Sequence, residues 1–328
     1  MQGNDIIVVG ASSGGVVALP KLLATWPKDL SAVVFVVVHV SSNSKSMLPD
    51  ILTKAGTWPA IHPRDGDKIQ HGNIYVAPPD NHLWLQDGQV RLTRGPRINR
   101  HRPAIDPLFE TAAHHYGSRV AGVILTGALD DGTFGLHAVK KCGGITIVQD
   151  PEEAAVRSMP ESALQQVEVD HCLKLAEIRK LLLELAQKQR SKFKKSSHRC
   201  SEEMKFSMET PNLNPAQMKA RCGDPSAYIC PDCNGPLWEI KDGHTVRFRC
   251  LVGHSYSPQS LLDGEADALE RALWVAAKTL EERSTLLRGL ATRFGAKHAY
   301  AAKDFGQRAD EIEDQADLIR RMLKKLKA

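Results

Sequence analysis

Short β-branched runs alternate with amphipathic stretches through residues 4–185, and this alternation constrains the fold more than any other feature. The predicted strands are Ile6–Val9, Ala32–Val38, Asn73–Ala77, Leu83–Leu85, Gln89–Leu92, Val120–Leu125 and Ile145–Val148. The predicted helices are Val16–Thr25, Ser46–Thr53, Pro107–His115, Thr133–Cys142 and Leu175–Ala186. Repeated strand–helix units are typical of a doubly wound, mainly parallel α/β sheet. We therefore predict one such domain over residues 1–187.

Composition excludes two classes of function. Of the 328 residues, 42% are hydrophobic and 25% charged, as in ordinary globular proteins. The longest apolar run, around Ala32–Val38, is too short to cross a bilayer, and no signal-peptide pattern opens the chain. The net charge of +5 is not concentrated in a basic stripe. We expect a cytoplasmic protein that neither inserts into a membrane nor binds nucleic acid.

Residues 5–15, DIIVVGASSGG, predict a buried strand that runs into a glycine-rich turn. Such a turn can cradle a nucleotide phosphate or mount a serine as a nucleophile. Ser12 stands where the dinucleotide fingerprint has its middle glycine. The Tyr-x-x-x-Lys pair that short-chain dehydrogenases need is also missing, because no tyrosine is followed by a lysine four residues later. A nucleotide-dependent oxidoreductase is therefore the weaker interpretation, and a serine nucleophile the stronger one.

Groups that a serine hydrolase needs follow three predicted strands. Ser12 follows the first, His39 ends the second, and Asp130 and Asp131 follow Val120–Leu125. Alone, the histidine could be a core residue and the acid pair a solvated turn. Because parallel strands end at one edge of a sheet, however, the three groups can converge there. A serine nucleophile requires a base, and the base an orienting acid, but the spacing does not choose between the two aspartates.

The chain carries several ordered motifs: IIVVGASSGG, VVVHV, GDKIQHGNIYVAPPDNHL, INRHRPAIDPLF, AGVILTGALDDGTFGLHAVKKCGGITIVQD and RSMPESAL. These motifs resemble the catalytic domain of the CheB family, the chemotaxis receptor protein-glutamate methylesterases. The resemblance implies a Rossmann-like methylesterase domain that demethylates chemoreceptor glutamates and, in many members, deamidates glutamines, with no cofactor for catalysis. It implies Ser12, His39 and Asp131 as the catalytic triad. An inactive signalling adaptor with the same fold is the alternative.

The resemblance also suggests how the substrate is bound. The candidate substrate-binding residues are Ser13, Asn99, Arg100 and His101. Five arginines fall within residues 91–102, where no acid interrupts them, so this segment is either a solvated face or a docking surface for acidic receptor helices. Ala128 and Leu129 depart from the Gly-Met-Gly-x-Asp-Gly loop of the family, which puts the fit of the substrate in question.

A small Cys/His island predicts a metal site outside the catalytic domain. Cys230-x2-Cys233 is followed after sixteen residues by Cys250-x3-His254. Two such knuckles can close a tetrahedral site for a structural Zn²⁺, in a zinc-ribbon-like module over residues 229–260. A module that has lost its metal is the alternative. The polar segment 188–228 is predicted to be a linker.

The C-terminal residues 261–328 predict two helices, folded as a hairpin or paired as a coiled coil with another chain. Apolar residues recur at 4-3 spacing on both sides of Gly295: Leu269, Leu273, Ala276, Leu280, Leu287 and Leu290, then Phe305, Ala309, Ile312, Ala316, Ile319, Leu323 and Leu326. Five residues precede the first predicted strand, so we expect no receiver domain ahead of the esterase. Control would then come from another protein or from the zinc ribbon and helical tail, or there would be none; our hypothesis is that the tail docks a receptor, a methyltransferase or a second copy.

Overall fold

In the computed structural model, residues 5–40, 46–187, 214–243 and 245–326 are described, and the chain forms two compact units, Met1–Leu261 and Leu262–Ala328. The first nine strands are β1 Ile6–Ala11, β2 Val33–Val38, β3 Ala60–Ile61, β4 Ile74–Val76, β5 His82–Gln86, β6 Gln89–Thr93, β7 Val120–Ile124, β8 Ile145–Gln149 and β9 His171–Leu173. Among the described helices, the first six are α1 Gly15–Leu23, α2 Leu48–Ala55, α3 Ile105–Tyr116, α4 Thr133–Lys141, α5 Ser158–Gln166 and α6 Leu175–Gln187.

Seven strands form one parallel sheet in the order β3-β4-β2-β1-β7-β8-β9. This confirms the predicted doubly wound α/β fold. From β1 the chain builds outward to β2 on one side, and it later returns to place β7 on the other side. The order therefore reverses between β1 and β7, and ligand sites in open α/β sheets lie beyond the carboxyl ends of strands at such a point. The strands β5 and β6 form a separate antiparallel hairpin.

Both faces of the sheet are covered, which explains why its strands are apolar throughout. Alternate residues of β1 point to opposite cores: Ile7 and Val9 pack with α1, α2 and α6, whereas Ile6 and Val8 pack with α3, α4 and α5. The helix α5 and the short strands β3 and β9 were not among the predicted elements. The segments of β3 and β9, Ala-Ile and His-Cys-Leu, are too short and lack the β-branched run that marks the other strands of the sheet, and Pro160 interrupts the helical pattern of α5.

An antiparallel ribbon follows in the same compact unit. It consists of β10 Leu237–Asp242, β11 Thr245–Cys250 and β12 Ser255–Tyr256. Before it, α7 Pro215–Cys222 begins with a capping box between Asn214 and Gln217. Ser226 then donates its backbone N–H to Leu237 O at 2.7 Å. Residues 214–228 thus differ from the predicted polar linker, and residues 188–213 of that segment lie outside the described residues.

The second unit is a helical hairpin, one of the two predicted arrangements. Its helices are α8 Pro258–Phe294, which begins in the first unit, and α9 Ala299–Leu326. Arg320 pairs with Glu281, and the rings of Phe294 and Phe305 lie 5.5 Å apart. Of the predicted seam, Ala309, Ala316 and Leu323 are buried, whereas Leu269 and Leu326 at its ends are exposed. Among the described residues, no helix combines the length and the hydropathy that crossing a membrane requires.

Candidate active site

The polar groups at the switch point between β1 and β7 are in hydrogen-bond contact. Ser12 Oγ lies 3.0 Å from His39 Nδ1, and His39 Nε2 lies 2.7 Å from Asp131 Oδ2. Each of these residues follows the carboxyl end of a strand of the parallel sheet. The structure therefore brings together the three residues that the resemblance selected, in the order nucleophile, base and acid.

The turn that carries Ser12 is held on both sides. The Ser12 N–H donates to Thr126 O at 3.0 Å, and Gly14, at φ +86°, opens α1. A Cβ at Gly127 would come within 2.9 Å of Ser12 Cβ, so only glycine lets the loop after β7 pass so close. Within the described part of the chain, the backbone N–H groups of Ser13 and Ala128 make no hydrogen bond, and both residues are exposed beside Ser12.

Asp131 is buried and saturated with donors. Its Oδ2 accepts the backbone N–H of Ile105 at 2.7 Å as well as His39 Nε2–H, and its Oδ1 accepts Asn99 Nδ2–H at 2.8 Å. Burial by itself raises the pKa of this carboxyl, but the hydrogen bond and charge of His39 outweigh burial and lower the pKa to about 2. An ionised Asp131 holds the proton on His39 Nε2, which leaves Nδ1 to accept from Ser12.

The neighbouring Asp130 is in a different environment. It is also buried, but its Oδ1 accepts the Ser257 hydroxyl at 2.5 Å, and burial raises its pKa to about 6. The geometry thus assigns Asp131, and not Asp130, to His39. The sequence spacing alone could not make that distinction.

His101 lies flat on the base, with ring centroids 3.5 Å apart and ring planes at 8°. Burial, together with the proximity of His39, lowers the pKa of His101 to about 3. His101 is therefore neutral near pH 7, so that it supports the His39 ring without opposing its protonation.

The other predicted substrate contacts fall in different places. Ser13 is exposed next to Ser12, and Arg100 is half-buried next to His101 in the chain, so both keep that assignment as proposals. Asn99 needs a correction: it is 2% exposed and lies behind the triad, where its amide contacts Asp131 and Asp106. It cannot reach a substrate, because protein groups occupy its polar atoms.

The arginine segment is largely paired within the protein. Arg91 contacts Asp65 at 2.8 Å, and Arg102 contacts Asp80 at 2.6 Å. Because Asp65 and Asp80 bring two negative charges to a segment of five arginines, these ion pairs offset part of its charge, and docking of an acidic partner on residues 91–102 stays a prediction.

A cleft of about 610 Å³ opens beside the serine turn. Gly14 and Thr126 form part of its wall, and Lys21, Arg179 and Lys180 contribute cationic side chains from α1 and α6. No sequence signal identified this cleft, because its residues come from segments far apart in the chain.

Cys230, Cys233, Cys250 and His254 offer ligand atoms that all lie within 4.8 Å of one another. Cys233 Sγ lies 3.6 Å from Cys250 Sγ, and His254 Nδ1 lies 3.6 Å from the sulfurs of Cys230 and Cys250. A tetrahedral Zn²⁺ with bonds of about 2.0–2.3 Å sets its ligands roughly 3.5–3.8 Å apart, so these four residues fit a metal ion.

Comparison with known proteins agrees with this geometry. The family model of the CheB methylesterases matches residues 7–182. A putative protein-glutamate methylesterase/protein-glutamine glutaminase of Leptospira interrogans is 38% identical over 56% of this chain and 95% of its own length. The corresponding Thermotoga maritima enzyme is 35% identical over 56% of this chain and 54% of its own length. The crystal structure of the CheB methylesterase catalytic domain from T. maritima is matched over its whole length and 56% of this chain, at 34% identity and a TM-score of 0.54. The chain therefore belongs to the CheB methylesterase family.

Proposed function

We propose that this protein is a protein-glutamate methylesterase that demethylates chemoreceptor glutamates and also deamidates receptor glutamines. The observation that carries the proposal is the Ser12–His39–Asp131 relay, with its distances of 3.0 and 2.7 Å, at the switch point of a methylesterase-family fold. Relatives named protein-glutamate methylesterase/protein-glutamine glutaminase support both reactions.

Acyl transfer through Ser12 accounts for the hydrolysis. Ser12 Oγ attacks the ester carbonyl while His39 Nδ1 takes the hydroxyl proton, and Asp131 stabilises the imidazolium through Nε2–H. His39 returns the proton to the leaving methoxide, so methanol departs and an acyl-Ser12 ester remains. Water then gives a proton to His39 Nδ1 and attacks that ester, which releases the glutamate and regenerates Ser12. With glutamine as substrate, ammonia leaves instead of methanol.

The backbone N–H groups of Ser13 and Ala128 are the proposed oxyanion donors. Both are exposed, lack a partner among the described residues and flank Ser12, one from the serine turn and the other from the loop after β7. Donors fixed in advance at a developing negative charge typically supply about 10²–10³ of the rate.

Acidic receptor helices are the proposed partners. The cationic side chains of Lys21, Arg179 and Lys180, in the cleft beside the serine turn, suit a glutamate-rich surface. Ser13, next to the nucleophile, and Arg100, next to His101, stay the proposed substrate contacts. Docking of the C-terminal hairpin to a receptor, a methyltransferase or a second copy, and location in the cytoplasm, remain predictions.

A structural Zn²⁺ is the proposed occupant of the Cys/His group. Three thiolates and one imidazole form a closed set of four ligands, as in structural zinc sites, and leave no position for a substrate. The metal would stabilise the fold of this module and take no part in ester hydrolysis.

Methanol release from methylated chemoreceptor fragments tests the function. We expect release by the wild type, loss by several powers of ten in Ser12→Ala, and normal release in Ser31→Ala, an exposed serine away from the site. If the wild type released no methanol and a serine-directed phosphonate failed to label Ser12, the adaptor interpretation would replace this one.

A further inference from the structure

The Cys/His ribbon, residues 229–260, lies directly behind the acid of the triad. β12 begins immediately after the metal-ligand candidate His254. Ser255 O accepts the Asn99 N–H at 2.7 Å, and Ser255 N–H donates to Arg97 O at 3.3 Å. The segment that precedes His101 is therefore held against the ribbon by backbone hydrogen bonds.

The side chain of Asn99 connects the ribbon to the triad. Its Nδ2 group donates to Asp131 Oδ1 and to Asp106 Oδ2, each at 2.8 Å. Its Oδ1 accepts the Ser257 N–H at 2.9 Å and the Ser260 hydroxyl at 3.2 Å. The two hydrogens and the two lone pairs of the amide are thus all used.

The ribbon fixes the orientation of the Asn99 side-chain amide. A backbone N–H can only donate, so Ser257 requires the oxygen of Asn99 on its side and directs both amide hydrogens toward the carboxylates. The reversed amide would place its oxygen against Asp131 and Asp106 and leave the Ser257 N–H unsatisfied, which is unfavourable in a buried site. The donor on which Asp131 relies is therefore oriented by the ribbon.

Further contacts tie the same ribbon to the rear of the site. The Ser257 hydroxyl donates to Asp130, and Arg247 of β11 contacts the carboxylates of Asp106 and Glu110 on α3. The mouth of the site stays open, because Ser13 and Ala128 are exposed. The ribbon therefore supports the acid end of the triad and does not cover the nucleophile.

The apolar core that belongs to the ribbon alone is small. Its buried apolar cluster contains six residues: Cys230, Leu237, Phe248, Cys250, Tyr256 and Leu261. So small a core does not fold a module by itself, whereas four metal ligands can. Ser257 is three residues from His254, so a change in metal loading reaches the donor to Asn99 through very few bonds.

We propose that metal binding to the Cys/His ribbon controls the esterase centre: the loaded ribbon orients Asn99, and Asn99 in turn positions Asp131 and His39. Asn99, Ser257 and Ser260 are positioning residues, and the metal never contacts the ester. The catalytic part of this proposal rests on the proposed function, but the positioning of His39 does not.

The first experiment compares Cys233→Ser with the matched control Cys172→Ser, an exposed cysteine of β9 outside the metal group, both in the full chain. Zinc content, phosphonate labelling of Ser12 and the proton resonance of His39 Nε2–H are measured. We expect Cys233→Ser to lose zinc, to label at least about 10-fold more slowly and to shift or broaden the His39 resonance, since a misplaced triad loses rate steeply. Cys172→Ser should match the wild type in all three measurements.

The second experiment keeps the metal ligands and removes one donor to Asn99. Ser260→Ala should retain zinc and lower kcat for methanol release about 3- to 10-fold, as expected for one hydrogen bond. Ser284→Ala is its control, because this serine is also buried in α8 but has no hydrogen-bond partner among the described residues.

An unchanged His39 resonance and labelling rate in zinc-free Cys233→Ser would overturn the proposal, as would unchanged kcat in Ser260→Ala. Should Cys233→Ser fail to fold, Ser260→Ala decides. The His39 resonance needs no substrate, so a protein that released no methanol but showed the zinc-dependent resonance would refute the proposed function and retain this coupling.

Discussion

The imidazole of His101 is stacked on that of His39, with 3.5 Å between the ring centroids. Two stacked imidazoles cannot both be protonated without strong repulsion. Burial and proximity to His39 lower the pKa of His101 from 6.5 to about 3, so His101 is the neutral partner near pH 7.

This stack predicts a pH dependence of stability. The folded state lowers the pKa of His101, so as the pH falls below 6.5 the unfolded chain takes up this proton and the folded protein does not. The stability present above pH 6.5, measured as the free energy of unfolding, is therefore lost progressively toward pH 3. Between pH 7 and pH 5 the loss is about 2 kcal/mol. His101→Phe keeps a flat ring but removes the titrating group. The pH-dependent decrease in the free energy of opening should therefore be smaller by about 2 kcal/mol in this variant, as measured by amide hydrogen exchange in β1.

His298→Phe provides the comparison for that measurement. It removes an exposed histidine of the second unit, so the pH dependence of exchange in β1 should stay as in the wild type. A decrease as steep in His101→Phe as in the wild type would show that other groups bind the proton.

The two adjacent aspartates should differ greatly in mutational effect. Asp131→Asn should lower kcat about 10⁴-fold with the fold intact, because the amide no longer fixes the His39 tautomer. Asp130→Asn should lower kcat by less than about 10-fold, since this side chain contacts Ser257 and not His39. Steady-state methanol release measures both, and equal losses would contradict the assignment of the acid.

Leu129 is strained, because its φ of +64° lies in the left-handed region that favours glycine. A non-glycine residue with this φ costs about 1–2 kcal/mol. Glycine removes that cost, but it loses more chain entropy on folding, which offsets part of the gain. Leu129→Gly should therefore raise the free energy of unfolding by about 0.5–1 kcal/mol in urea titrations. Leu181→Gly in α6 should lower it instead, and a similar loss in Leu129→Gly would mean that the packing of its side chain dominates.

Arg247 is the buried cation between Asp106 and Glu110, and its guanidinium lies 3.7 Å from the centroid of the Phe134 ring. Arg247→Met leaves two buried carboxyl groups without this cation and should cost about 3–5 kcal/mol in thermal or urea unfolding. Adding Asp106→Asn and Glu110→Gln replaces both carboxyl groups by neutral amides and should recover more than half of the loss. If stability were not recovered, the packing of the Arg247 side chain, and not its charge, would stabilise this contact.

The sequence identified the parts of the site that follow strand ends. Ser12 and His39 come directly after recognisable apolar strands, and Asp131 lies in the loop that follows a third, so parallel topology alone predicted that they can meet. The choice of Asp131 over Asp130 depended on the family resemblance, and the geometry agrees with it through the contact with His39.

Contacts between distant segments were beyond the reach of sequence patterns. Asn99 and Ser257 are separated by 158 positions, and nothing local marks them as partners. Asp106 and Glu110 lie one turn apart on α3, which can be read as an acidic face, but only the structure shows that Arg247 covers it. The same limit explains why Asn99 was assigned to the substrate.

The contact of Arg247 with α3 has a practical meaning for anyone who prepares a shortened protein. The family match ends at residue 182, which invites a fragment that stops near residue 187. Such a fragment would expose to water an acidic surface that β11 otherwise covers, and it would free the loop that carries Asn99. A gene fragment that encodes residues 1–261 follows the compact unit instead, and it keeps the acid end of the triad enclosed.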